Sequence, residues 1–113
     1  MIMGITHIVQ FQFKSDVSPD VVKDTCHRML ALAHTCLHPK TEKPYLKSVT
    51  GGKDNSIEGI QNGITHAFVV QFENEADREY YCHKDPSHLA FVKRVVELVE
   101  KVQVVDFTHG VVV

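Results

Sequence analysis

At residues 5–13 the chain reads Ile-Thr-His-Ile-Val-Gln-Phe-Gln-Phe, with its largest apolar side chains and one histidine at every second position. This alternation is typical of a β-strand that has one apolar face and one mixed face. A similar stretch, Ile-Thr-His-Ala-Phe-Val-Val-Gln-Phe, occupies residues 64–72. Because Ile, Thr, His, Gln and Phe recur at equivalent places, we interpret the chain as two similar halves, each built as strand-helix-strand.

The first half contains clear signals for one helix and a second, shorter strand. Ser18-Pro19-Asp20 combines a capping side chain, a proline for the first helical position and an acid beside the positive helix end. We predict a helix from there to about Cys36. A short strand is predicted over Tyr45–Thr50, ended by Gly51-Gly52, and a polar loop over Lys53–Gly63.

The second half repeats this plan with an interrupted helix. The helix is predicted to begin near Asn74-Glu75, to break at His83–Asp85, and to restart with Asp85 as cap and Pro86 at its first position. It is expected to run to about Lys101, before a last strand over Gln103–Thr108. Strand-helix-strand twice over predicts an α+β, ferredoxin-like βαββαβ fold: a four-stranded antiparallel sheet with the helices on one face. We expect a single domain over residues 1–113.

Composition limits the classes of function. With 43% hydrophobic residues and a formal net charge of -2, the chain resembles soluble globular proteins. Its 12 basic residues are interleaved with 14 acidic ones, which argues against nucleic-acid binding. The sequence shows no signal peptide and no apolar run long enough to span a membrane. Three cysteines without close pair spacing predict reduced thiols and a cytoplasmic protein.

The sheet face away from the helices predicts a partner. It carries Ile8, Ala67 and Val69 beside threonines and glutamines. Such a face is too apolar to be fully solvated and too polar for the core of a monomer. We therefore expect a homodimer in which two sheets stack on each other.

The stretch Tyr80–Phe91 gathers the candidate reactive groups: two tyrosines, a cysteine and two histidines around the Asp85-Pro86 step. A neutral imidazole suits a general base and a phenol hydroxyl suits an oxyanion donor. No pair of histidines has the helical spacing with an acid that a zinc enzyme requires, so we expect neither a metal nor any other cofactor.

Four short motifs carry a resemblance to a known family. The chain resembles the stress-response dimeric α/β-barrel (Dabb) domain over nearly its whole length, in Thr6-His7-Ile8-Val9, Thr65-His66, the cluster at residues 80–88 and Val105-Asp106-Phe107-Thr108. Within that family it is similar to plant cyclases that close a linear poly-β-keto chain by intramolecular aldol condensation. Other members are stress-induced proteins without a clear activity, so the resemblance implies a dimeric α/β barrel but not by itself an enzyme.

The resemblance also implies roles for individual residues. It makes His88 the general base, Tyr80 its tyrosine partner and His7 a pocket histidine. The cyclases have His-Pro-x-His where this chain reads His83-Lys84-Asp85-Pro86-Ser87-His88, so two additional residues, Lys84 and Asp85, separate the histidines here.

Topology independently favours His7 over His66 as a pocket residue. The first and third strands should be antiparallel neighbours, so these histidines should lie at opposite ends of the sheet, with His7 under Tyr80 and His88. The expected substrate is a small polyketide-like carbonyl compound in an apolar pocket lined by His7, Met29, Phe68, His83 and Phe91. The alternative is a non-catalytic stress-response dimer or an apolar-ligand-binding protein, in which large residues such as Met29, Phe68, Phe72 and Phe91 fill that space.

Overall fold

The computed structural model describes residues 4–113, and residues 1–3, which the sequence joined directly to the first strand, lie outside the described part. The elements alternate as predicted, with the second helix divided in two. Their bounds are β1 (Ile5–Phe13), α1 (Pro19–Thr35), β2 (Ser48–Lys53), β3 (His66–Phe72), α2 (Glu75–His83), α3 (Pro86–Val95) and β4 (Val99–Phe107).

The four strands form one sheet in the order β2-β3-β1-β4, and every neighbouring pair is antiparallel. This confirms the ferredoxin-like α+β arrangement. The register pairs His7 with Val70 of β3 and with Asp106 of β4, whereas Phe11 pairs with His66. His7 and His66 therefore lie towards opposite ends of the sheet, as the topology predicted.

The capping signals act where the sequence placed them. The Ser18 hydroxyl accepts a hydrogen bond from Val21 N at 3.3 Å, and α1 ends at Thr35 with Cys36 as its cap. Asn74 caps α2 through Asp77 N at 2.8 Å. The predicted break follows α2, after which the Asp85 side chain caps α3.

The second strand, β2, differs from its prediction, because Gly51 and Gly52 lie within the strand and were predicted to end it. β2 begins at Ser48 and continues through Gly51-Gly52 to Lys53. Gly51 pairs with Phe68 on β3, and a Cβ at Gly51 would lie 2.4 Å from the Phe68 ring. Glycine here permits close contact with the neighbouring strand and does not end the strand.

The end of the second half was also predicted wrongly. The last helix ends at Val95, not near Lys101, and β4 begins at Val99, not Gln103. The valine-rich run from residue 95 to 105 suits a strand, and β1 offers a complete edge for it. Lys14 N donates to Leu98 O at 3.0 Å, which draws the chain into the sheet immediately after the helix.

The core lies between the sheet and the helices. Alternate residues of β1 from Ile5 to Phe13 are buried on the helix side. On the opposite face, Ile8 and Val69 are only partly buried, and Val105 and Phe107 are about half exposed. No helix in residues 4–113 is long and apolar enough to cross a membrane.

Candidate active site

A cavity of about 330 Å³ lies between the helix-facing side of the sheet and the three helices. One part of its wall is polar and comprises His7, Tyr81, Cys82 and His88. The remainder is apolar and comprises Val9, Phe11, Met29, Phe91, Val92, Val95, Val96, Val102 and Val104. A more open groove of about 510 Å³ lies between α1 and α3, and of the candidate residues only Phe91 lines it.

His7 is held in one orientation by the edge strand. Its Nδ1 lies 2.7 Å from Asp106 Oδ1, and Arg78 donates to the other carboxylate oxygen at 3.2 Å. Because the carboxylate accepts, His7 Nδ1 donates the hydrogen bond, and Nε2 is the ring nitrogen that Asp106 leaves uncontacted. His7 is 6% exposed, so it is almost wholly enclosed.

His88 approaches the same space from the first turns of α3. Its Nδ1 donates to the main-chain oxygen of Tyr81 at 2.7 Å, so its Nε2 is also left as an acceptor. Burial lowers the pKa of His88 below its ordinary value, and nearby His7 acts in the same direction. The Tyr81 carbonyl and the Asp85 carboxylate oppose that shift without reversing it. His88 is therefore a neutral imidazole at pH 7, as a general base requires.

Tyr81 is the tyrosine that contacts these histidines. Its ring stacks on His88 with centroids 3.7 Å apart and meets His7 edge-on at 5.9 Å. Its hydroxyl is buried and has no hydrogen-bond partner among residues 4–113. Burial raises the pKa of the phenol, so it remains a donor at neutral pH.

The predicted tyrosine, Tyr80, is not in the cavity wall. It is half-buried and meets Tyr45 edge-on, with ring centroids 5.7 Å apart. Successive residues of an α-helix point about 100° apart, so only one of two adjacent tyrosines can point to the cavity. The structure gives that place to Tyr81.

The other predicted pocket residues divide into two groups. Met29 and Phe91 line the cavity, as expected. Phe68 does not, because it is fully buried in the core, where its ring lies 5.8 Å from that of Phe11. His83 is exposed on the outer surface of α2, with its Nε2 3.8 Å from Glu79. His66, which was not favoured, lies at the other end of the sheet beside Phe13.

Besides Tyr81, two further polar residues lie at the site although they were not predicted as site residues. Asp106 is an acid inside a valine-rich strand, and this unusual position could have identified it as a candidate site residue. Its pairing with His7, however, depends on the register of β4. Cys82 adjoins Tyr81 in the cavity wall, where burial and nearby Asp106 raise its thiol pKa. That thiol remains protonated and is not an activated nucleophile. Within the described residues, no group of three His, Cys, Asp or Glu side chains could hold a metal ion.

Known proteins similar to this chain include both stress-response proteins and an enzyme. The stress-response A/B barrel domain-containing protein HS1 of Arabidopsis thaliana is 32% identical over 104 residues, 91% of this chain and 87% of that protein. Olivetolic acid cyclase of Cannabis sativa is 25% identical over 107 residues, 94% and 97% of the two chains.

Solved structures agree on the fold, and the match to a protein-family model shows the family. Hydroxynitrile lyase from Passiflora edulis superposes with a TM-score of 0.81 at 23% identity, covering 100% of this chain and 99% of its own. A dimeric ferredoxin-like protein of unknown function from Thermobifida fusca gives 0.72 at 26%, covering 96% and 92%. The sequence model of the family described as Stress responsive A/B Barrel Domain matches residues 5–109, and the chain therefore belongs to that family.

Proposed function

We propose that the protein is a small-molecule cyclase of the lyase type, which closes a polyketide-like poly-β-carbonyl chain by an aldol reaction. The observation that carries the proposal is the polar end of the cavity, where His7 and His88 contact the ring of Tyr81, whose buried hydroxyl has no hydrogen-bond partner among residues 4–113. Such a site offers a base and a donor within an apolar enclosure, the combination that an aldol closure needs.

The proposed reaction begins at His88. Its Nε2 takes a proton from a carbon between two carbonyl groups, and the resulting enolate carbon forms a bond to a distant ketone carbon of the same chain. The electron pair of that ketone moves to its oxygen, which accepts a hydrogen bond from Tyr81 and then a proton from His88. Loss of this hydroxyl as water and enolisation of the remaining ring carbonyls give the aromatic ring, and hydrolysis of the thioester by water releases the acid and the thiol. The protons beside two carbonyls are already acidic, so general-base catalysis of roughly 100- to 10,000-fold would be useful.

In this proposal Tyr81 takes the role that the sequence gave to Tyr80. His7, oriented by Asp106 and Arg78, presents an acceptor nitrogen to an enol hydroxyl of the substrate. The valine-lined wall holds the folded carbon chain and selects which carbons meet. No step needs a cofactor.

The named relatives allow a second candidate. A protein 25% identical to this chain is a cyclase, but the 32% identical one is named only for stress response. The apolar wall with Met29, Phe11 and Phe91 would equally suit a protein that binds an apolar ligand and leaves it unchanged. Conversion of the ligand separates the two candidates, because a binding protein would return it intact.

The test is a product analysis. A polyketide synthase supplies a linear tetraketide thioester in place, and products are compared with no added protein, wild type, His88→Ala and the matched control His66→Ala. We expect a cyclised aromatic acid with wild type and with the control, which alters the other end of the sheet, and its loss with His88→Ala. The same product distribution in all four reactions would remove the cyclase proposal.

We also propose that two chains form a homodimer through their outer sheet faces. Ile8, Val69, Val105 and Phe107 expose apolar surface there in the single chain, and a relative of known structure is described as dimeric. Light scattering at micromolar concentration should give twice the mass of the chain, and Val105→Arg should reduce it to the monomer mass. A wild-type monomer would contradict the proposal.

A further inference from the structure

The most enclosed charged side chain outside the cavity wall is Asp85, which is 1% exposed. It occupies the break between α2 and α3. Its Oδ1 accepts from Ser87 N at 2.9 Å and from His88 N at 3.4 Å, and its Oδ2 accepts from the Tyr45 hydroxyl at 2.6 Å. Neither Asp85 nor Tyr45 lines the cavity, so the proposed reaction gives them no direct part.

A cap alone does not explain this arrangement. Capping requires only one side-chain oxygen, which accepts from the main-chain N–H groups of the first helical turn. Here the second oxygen is bonded by a tyrosine 40 residues away in sequence, and the carboxylate is withdrawn from water, which costs free energy. Burial and the neighbouring Asp85 raise the pKa of Tyr45, so the phenol remains a donor at neutral pH.

The contacts of Asp85 fix the segment that carries His88. Asp85 N and Lys84 N both donate to Tyr80 O at 2.8 Å, which joins the end of α2 to the start of α3. The cap then orders the first turn of α3, including the His88 main chain. From that turn the imidazole reaches back 2.7 Å to Tyr81 O and stacks on the Tyr81 ring.

We propose that Asp85 and Tyr45 are positioning residues, which set the orientation of the His88 imidazole against Tyr81 from outside the cavity. This inference deepens the proposed function and rests on it for its catalytic consequence. The hydroxyl of Tyr45 anchors the carboxylate, the carboxylate anchors the first turn of α3, and that turn determines where His88 Nε2 lies. A displacement of about 1 Å of a reacting group can cost about 100-fold in rate.

The first experiment observes His88 without any substrate. The side-chain nitrogen signals of His88 are recorded by NMR in ¹⁵N-labelled wild type, Tyr45→Phe, Asp85→Asn and Asp85→Ala. Asn74→Ala serves as the control, because it removes the cap of the neighbouring helix without touching the Asp85 contacts. His88 of wild type should show one neutral tautomer with Nδ1 protonated.

The variants should then separate positioning from capping. Tyr45→Phe keeps the cap but releases the carboxylate, so the Nδ1-protonated fraction of His88 should fall and its ring signals should shift. Asp85→Asn retains a capping oxygen and an amide that can donate to Tyr45, so it should remain closer to wild type than Asp85→Ala. Asn74→Ala should leave the His88 ring signals unchanged. Unchanged signals in Tyr45→Phe, or an equal change in Asn74→Ala, would overturn the inference.

The second experiment measures turnover. With the polyketide substrate, Tyr45→Phe should lower kcat by about 10- to 100-fold and change KM little, because it displaces a base and leaves the cavity wall intact. Loss of turnover in Asn74→Ala to the same extent would assign the effect to stability and overturn the positioning role. If wild type shows no turnover, the proposed reaction fails, while the NMR measurement still decides whether Asp85 and Tyr45 orient His88.

Discussion

Tyr81→Phe should make the protein more stable and less active at the same time. The Tyr81 hydroxyl is buried and has no hydrogen-bond partner among residues 4–113, so the folded chain leaves a desolvated polar group unsatisfied. The ring itself is tightly packed, with its centroid 5.1 Å from that of Phe72 and 3.7 Å from that of His88. Phenylalanine would keep these ring contacts and remove only the unsatisfied oxygen.

The size of both effects follows from that geometry. A buried polar group without a partner costs about 1–3 kcal/mol, so its removal should raise the free energy of unfolding by about 1–2 kcal/mol. For a domain of this size that corresponds to a rise in Tm of roughly 5 °C or more. If the hydroxyl stabilises the developing oxyanion, its loss should lower kcat by about 100- to 1,000-fold. KM should change little, because the interaction forms mainly in the transition state.

Two assays and one neighbouring tyrosine test this prediction. The chain has no tryptophan, so urea and thermal unfolding are best followed by circular dichroism. Tyr80→Phe is the matched control, since it removes the same atom from the adjacent, half-buried ring outside the cavity. It should change stability by less than about 0.5 kcal/mol and leave product formation intact.

The refuting results are distinct. A Tyr81→Phe protein that is less stable than wild type would mean that the hydroxyl has a partner in solution. Full activity of Tyr81→Phe would remove it as the donor. Loss of activity in Tyr80→Phe alone would instead restore the role that the sequence gave to Tyr80.

Three further predictions concern the proposed base His88, the Asp106 partner of His7, and strand β2. Because burial lowers the pKa of His88, the unfolded chain should bind a proton that the folded chain excludes as pH falls below about 6.5. The free energy of unfolding should therefore decline as the pH falls, until the pH is below the pKa of His88 in the folded chain. His88→Gln should flatten this dependence of stability on pH. Product formation by wild type should persist below pH 6.5. Asp106→Asn should lower kcat by about tenfold or more, because the amide can donate to His7 Nδ1 and so favour the tautomer with the proton on Nε2. The nitrogen NMR signals of His7 would show this change of tautomer, and an unchanged tautomer with unchanged kcat would contradict the reasoning. Gly51→Ala should lower the free energy of unfolding in urea by about 1–3 kcal/mol, since its Cβ would lie 2.4 Å from Ala67 O. Gly52→Ala, whose Cβ would have no atom within 4 Å, should cost far less. An equal loss of stability in both variants would show that the close approach is not the cause.

The sequence was sufficient for features that depend on local signals. The period of β1 and β3 placed their buried faces, and Ser18 and Asp85 marked two helix starts through capping chemistry. The boundary near Val95 depends on more than the local sequence, because valines there fit either a helix stripe or a strand. Pairing of Val99 with Phe13 decides it, and that contact links residues 86 positions apart.

The candidate site was partly predictable for the same reason. His7 and His88 could be brought together from strand order, since antiparallel neighbours fix which ends of the sheet meet. The choice between Tyr80 and Tyr81 requires the rotational phase of α2, and two adjacent tyrosines in a short helix carry no signal that sets it. Asp106 becomes a partner of His7 only through the β4 register, which follows from where β4 begins.

The contacts of Lys84 and Asp85, the two additional residues between His83 and His88, lead to a different interpretation from the one that the sequence suggests. In sequence, Lys84 and Asp85 interrupt a spacing of histidines and leave the distance from a tyrosine to His88 undefined. In the fold, Asp85 supplies the cap that begins α3, while Lys84 N and Asp85 N close the end of α2 on Tyr80 O. Lys84 and Asp85 lengthen the break between α2 and α3, but they also make it more rigid, because both main-chain N–H groups and the buried Asp85 carboxylate form hydrogen bonds. Lys84 and Asp85 are therefore compatible with the proposed base at His88, and in our proposal Tyr45, in the connection between α1 and β2, is the distant residue that holds this base in position.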